Sequence, residues 1–143
     1  MLREKQRFAK LAAPAEGTAR MALNRKRLVY FERFFHPVAE QVLAGADDIE
    51  LARLRYTAPE ADNWPEMQRA QGYHVSARTE LREPWLGDAA LIARCPDLLA
   101  MCSTGAGYDV IDVEACTKAG IIVCSQSGTN FEPVAEHAIG LIL

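Results

Sequence analysis

The sequence has no apolar run approaching the roughly 18 residues that a membrane-spanning helix needs, and its 8–15 patch is broken by Lys10 and too weak for a secretory core. Neither a membrane protein nor a secreted precursor is expected, and a cytoplasmic protein is. Cys95, Cys102, Cys116 and Cys124 form no Cys-x-x-Cys pair and no interleaved Cys/His set at ligand spacing. Zinc-site and disulfide-framework patterns are therefore missing, no metal is expected, and the cysteines read as reduced core thiols. Basic charge is scarce outside the start of the chain. Of 16 basic and 19 acidic residues, the first 27 positions hold eight and two, leaving eight against seventeen for the rest. An acidic body argues against a nucleic-acid partner, because phosphate contacts need a basic face.

A chain of 143 residues, half of them apolar, is the size of one domain able to bury a single core. Positions 1–26 are rich in Arg, Lys and Ala without a clean amphipathic period, and read as a flexible N-terminal extension. Glu4 and Glu16 count against a transit peptide, and a true start at Met21 is an equal alternative. From Arg27 onward, short apolar runs alternate with helix-length amphipathic stretches, the rhythm of βα units building a parallel sheet. The strands are expected at 28–31, 49–54, 73–76, 98–103 and 121–124.

Helix signals are clearest late in the chain. Asp112 suits the N-cap of a helix over 113–119, and Gly120 stands where a left-handed residue would end it. Thr129-Asn130-Phe131-Glu132 has the form of a capping box, Pro133 is tolerated in a first turn, and Val134, Ala135, Ala138, Ile139 and Ile142 share one helix face. That helix runs into Gly140-Leu141-Ile142-Leu143 with no polar last turn. The expectation is a chain that stops inside a helix, with further polypeptide or a partner to cover the apolar residues.

The segment Ser103-Thr104-Gly105-Ala106-Gly107-Tyr108-Asp109 falls at the carboxyl end of the fourth strand, where open parallel sheets bind ligands. Two glycines flanking a small residue let successive backbone N–H groups converge on an anion such as a carboxylate, though such loops as often only turn the chain sharply. A dinucleotide fingerprint is disfavoured, because the third glycine position holds Val110.

That segment continues as Val110-Ile111-Asp112, followed by Glu114-Ala115-Cys116, Gly120-Ile121-Ile122-Val123, and the run from Pro133-Val134-Ala135-Glu136-His137 to Leu143. In order and spacing it resembles the D-isomer-specific 2-hydroxyacid dehydrogenase family. The likeness is dense over 98–143, rests on βα rhythm alone over 27–97, and has no counterpart in 1–26. It implies that 27–143 form part of a flavodoxin-like, three-layer α/β substrate-binding domain with a mostly parallel sheet of about five strands, cut short at its C-terminal end. Residues 131–143 would begin the helix linking to an NAD-binding domain that the chain lacks.

The same resemblance implies an oxidoreductase exchanging a hydride between NAD(H), with NADP as the alternative, and a D-2-hydroxy acid or 2-oxo acid. The amides of Ala106 and Gly107 would hold the acid's carboxylate, with Gly105 permitting their approach and Tyr108 beside them. Val134 would border the nicotinamide; many relatives have threonine there, so valine offers only main-chain or packing contact. The family's catalytic arginine, histidine and carboxylate fall beyond Leu143. No catalytic residue is therefore assigned within the chain, which is expected to be inactive alone. Full-length relatives are usually homodimers. His36 and His74 read as structural or solvated, and His137, close to the side of the helix that carries Val134, is not the family's acid–base histidine. Asp109 and Asp112 suit turn stabilisation and capping better than a metal pair, and Trp85 and Phe131 suit a core better than a pocket. The competing reading is a non-catalytic anion-binding or protein-interaction module of the same fold, like the related transcriptional corepressors.

Overall fold

The computed structural model describes residues 25–143; residues 1–24, most of the stretch read as an extension, lie outside the described residues. Strands and helices alternate along the described chain. In order they are β1 (Lys26–Phe31), α1 (Pro37–Ala44), β2 (Ile49–Leu54), α2 (Glu60–Gln68), β3 (Gly72–Val75), α3 (Ala89–Arg94), β4 (Ala100–Ser103), α4 (Val113–Ala119), β5 (Ile122–Cys124) and α5 (Phe131–Ile142). The five strands form one sheet in the order β2-β1-β3-β4-β5, every neighbouring pair parallel. This is the flavodoxin-like order. The chain steps from β1 out to β2 and then crosses back past β1 to β3, so the winding direction reverses between β1 and β3.

Strand β1 starts at Lys26, two residues earlier than its apolar run suggests. Polar contacts account for the extra length. The Arg25 guanidinium donates to the Ile49 carbonyl at 2.6 Å, and Arg27 is gripped by Glu66 and, at 2.8 Å, by Glu50. Strand β4 begins later than expected, because Leu98 closes a turn by donating its amide to the Cys95 carbonyl at 3.2 Å. Leu98 is buried all the same, so its hydrophobicity reflects packing outside the strand.

Alternation along the strands sorts the two faces. Val29, Phe31, Leu54, Tyr73, Val75 and Met101 meet Trp64 and Met67 of α2, Leu91 of α3 and Cys116 of α4 in one core. Fully burying a side chain of this kind contributes about 1.5–3 kcal/mol. Tyr73 is wholly buried, and its hydroxyl donates to the Trp85 carbonyl at 2.8 Å, which satisfies its one polar atom. On the opposite face Tyr30 donates to Glu40 of α1 at 3.0 Å, and Phe34 lies against both Tyr30 and His74.

Helix α4 ends as its sequence dictates. Asp112 accepts from the Ala115 amide at 2.9 Å, and Gly120 takes φ 74° in the left-handed region. Helix α5 departs from expectation at its start: the N-cap is Asn130, with no side-chain capping bond, and no box forms between Thr129 and Glu132. The Thr129 hydroxyl is already committed to the Gln126 carbonyl, 2.7 Å away in the preceding turn. Every residue of α5 is exposed. Among the described residues no helix is long and apolar enough to cross a membrane.

Candidate functional site

Loops at the carboxyl ends of four strands surround a cavity of about 550 Å³. Strand β1 leads to Phe35 and His36, β3 to Ser76, Ala77 and Arg78, β4 to the glycine loop, and β5 to Gln126 and Asn130. The cavity therefore sits at the reversal in strand order, where open α/β sheets place their ligands. Glu32, with φ 56°, turns the chain directly after β1 and accepts from the Tyr56 amide at 2.8 Å.

The glycine loop is fixed by its polar side chains. Ser103 Oγ donates to the Gly105 carbonyl at 2.9 Å, and the Gln126 amide donates to the same oxygen at 3.0 Å. Thr104 Oγ1 donates to the Val75 carbonyl at 2.7 Å, tying the end of β4 to the end of β3. With the Gly105 carbonyl held by two donors, the next amides, those of Ala106 and Gly107, have no acceptor among the described residues. Free amides beside a cavity are what an incoming oxyanion requires. Neither Gly105 nor Gly107 has a positive φ; among the described residues the glycines that do are Gly120 and Gly128. A left-handed sharp turn is therefore not what these glycines provide. A Cβ on Gly105 would meet nothing within 4 Å, whereas one on Gly107 would lie 3.3 Å from Asp109 Oδ1.

Gly105 and Gly107 are on the cavity wall, while Ala106 and Tyr108 are not, Tyr108 being exposed. Val134 and His137 lie on the exposed helix α5, outside the wall. Trp85 is a core residue tilted against Trp64 and Phe31, and Phe131 is exposed. Asp112 caps α4, whereas Asp109 takes a role that local sequence does not reveal. Its carboxylate receives Nε of Arg78 at 2.8 Å and also Nη2, which reaches the Asp109 carbonyl at 3.4 Å as well.

Arg78, Gln126 and Phe35 are wall residues that no sequence motif singled out, and Asn130 and His36 join them there although the sequence pointed to other roles. Each follows a strand's carboxyl end by a few residues, which is the signal that would have found them. His36, read as structural or solvated, does both jobs: Nδ1 accepts from the Val38 amide at 3.2 Å as the N-cap of α1, and the residue also lines the cavity. His74 stands beneath the loop, with Nε2 3.4 Å from Thr104 Oγ1, and burial lowers its pKa from the ordinary histidine value. Among the described residues no group of three His, Cys, Asp or Glu side chains is placed to hold a metal.

The loop does not suit the pyrophosphate of a dinucleotide. Val110 stands where the third glycine would be, and the N-terminus of α4, where the pyrophosphate would dock, is occupied by the Asp112 carboxylate.

The model of the D-isomer specific 2-hydroxyacid dehydrogenase catalytic domain matches residues 28–139. The D-3-phosphoglycerate dehydrogenase of Mycobacterium leprae (strain TN) is 38% identical over 56 residues, which cover 39% of this chain and 11% of that protein. Among solved structures, the NADPH-dependent glyoxylate/hydroxypyruvate reductase of Sinorhizobium meliloti, in complex with NADP and malonate, is 27% identical with a TM-score of 0.61. The similarity covers 83% of this chain and 34% of that one. The NAD+-bound 3-phosphoglycerate dehydrogenase of Entamoeba histolytica has the same fold at 24% identity, with a TM-score of 0.62 over 82% of this chain and 38% of that one. The chain thus spans little more than a third of these solved relatives, and its match to the curated relative spans about a tenth of that protein.

Proposed function

The chain belongs to the D-isomer specific 2-hydroxyacid dehydrogenase family, and on that premise we propose that residues 27–143 supply the substrate half of an oxidoreductase that exchanges a hydride between a nicotinamide cofactor and a D-2-hydroxy acid or 2-oxo acid. The observation that carries the reading is the pair of consecutive acceptor-free amides, Ala106 and Gly107, of which Gly107 is on the wall of a cavity at the switch point of the sheet. They bind and orient the carboxylate of the acid. Hydrogen bonds from such amides to a charged oxygen are worth about 1.5–3 kcal/mol each.

The cofactor in this reading is NAD, with NADP as the alternative, and it is held mainly by residues outside the 143, since the glycine loop here does not suit a pyrophosphate. Val134, at the start of α5, borders the nicotinamide end by its main chain. No acid–base residue is assigned to this chain, and alone it turns nothing over; its contribution is to position the substrate.

The test is a titration of the 15N-labelled chain with glyoxylate and with uncharged glyoxylamide. The amides of Ala106 and Gly107 should show the largest downfield proton shifts with glyoxylate, and little response to the amide. Shifts centred elsewhere, or equal for the two compounds, overturn the reading.

A further inference from the structure

Among the described residues that line the cavity, Arg78 is the single permanently cationic side chain. Its geometry is unusual for a mere surface ion pair. Nε and Nη2 both face Asp109, so one edge of the guanidinium is fully engaged, while Nη1 has no acceptor among the described residues. Asp109 in turn reaches back over the loop, with Oδ1 3.3 Å from the point a Gly107 Cβ would occupy. Gly107, the Asp109 carboxylate and the guanidinium therefore follow one another along the cavity wall. The cation stands one carboxylate away from the amides that receive the substrate.

A tie between the two loops would explain Arg78 only if nothing else joined them. They are already joined: Gly87 and Ile111 form an isolated parallel bridge, and the Asp112 amide donates to the Gly87 carbonyl at 2.8 Å. The Arg78 and Asp109 side chains are about two-thirds exposed. A pair so exposed contributes at most about 1 kcal/mol to stability. What it does accomplish is to hold the plane of the guanidinium, leaving Nη1 of this cavity-lining side chain without an acceptor among the described residues and available to a second oxyanion.

We propose that Arg78 makes this site selective for 2-hydroxy and 2-oxo acids that carry a second anionic group, a carboxylate, sulfonate or phosphate, at the end remote from C1. The inference rests on the reading of the Ala106–Gly107 amides as the seat of the C1 carboxylate. With C1 on those amides, a short carbon skeleton extends past Asp109 and delivers the second charge to Nη1. Asp109 keeps Arg78 from competing for C1 and repels an anion bound in the reverse sense.

D-lactate and D-malate share a skeleton and differ by the second carboxylate. Isothermal titration of the 143-residue chain at low ionic strength should show D-malate binding at least tenfold more tightly than D-lactate. Arg78→Gln should bring the two affinities together, and Arg78→Lys, which keeps the charge but not the planar edge, should give an intermediate ratio. Equal affinities in the unsubstituted chain, or a malate preference that survives Arg78→Gln, overturn the proposal. If D-lactate binds and moves the Ala106 and Gly107 amides without any preference for malate, the carboxylate loop stands and only the role of Arg78 falls. If neither acid moves those amides, both readings fall. Thermal unfolding of the two variants checks their folding; an exposed position predicts midpoints close to that of the unsubstituted chain.

Discussion

The hydroxyl of Thr104 donates to the Val75 carbonyl at 2.7 Å, so a side chain at the end of β4 ties down the end of β3. Thr104→Val keeps the shape and removes the donor. Taking a donor from the carbonyl of a buried residue such as Val75 costs up to about 1–3 kcal/mol. The expected result is a lower denaturation midpoint with an unchanged slope against urea, together with altered amide resonances over 104–107. An unaltered midpoint would mean that water replaces the hydroxyl at no cost.

His74 lies against that hydroxyl and under Phe34, and burial depresses its pKa below the ordinary histidine value of about 6.5. The unfolded chain therefore takes up this proton at a higher pH than the folded one. Stability is fully present above about pH 6.5 and falls as the pH drops from there toward the lowered folded value, because protonation favours the unfolded state. The urea midpoint should decrease between pH 7.5 and pH 5.5. In His74→Gln the part of that decrease due to this histidine should vanish, and an identical pH dependence in the variant would remove His74 as its source.

The four cysteines should separate by burial alone. Cys124 is exposed, Cys95 and Cys116 are buried, and burial pushes the Cys95 thiol up to about 11. Since the thiolate is the reactive form, Cys95 should be inert in the folded protein. Maleimide labelling followed by peptide mass analysis should modify Cys124 first and leave Cys95 and Cys116 until denaturant is added. Early labelling of Cys95 would contradict the core described above.

What could be read in the sequence was what depends on near neighbours. Strand β2 and helix α4 occupy the positions their patterns indicate, and Asp112 and Gly120 cap α4 because capping is decided within a few residues. The Thr129 box failed for an equally local reason, a turn that claims the same hydroxyl. Gly105 and Gly107 were legible because they are contiguous with a strand end. Arg78 was not, since it is 31 residues from Asp109 and meets it only because β3 and β4 are neighbours in the sheet. Phe35 and His36 reach the same cavity because β1 lies beside β3, a pairing that periodicity along the chain does not encode.

Two glycines with opposite requirements separate binding from folding. Gly120 holds φ 74°, which side-chain-bearing residues adopt at a cost, so Gly120→Ala should destabilise the protein by about 1 kcal/mol and leave ligand binding alone. Gly105 has no positive φ, and its missing Cβ faces open space on the cavity wall. Gly105→Ala should therefore unfold at the same urea concentration as the unsubstituted chain. Its methyl group would stand where the substrate carboxylate approaches Ala106 and Gly107, and the amide shifts produced by glyoxylate should be lost. The pair of measurements is discriminating: a Gly105→Ala protein that folds normally and still binds glyoxylate would show that the anion approaches from another side of the loop, whereas a large loss of stability would make Gly105 a structural residue.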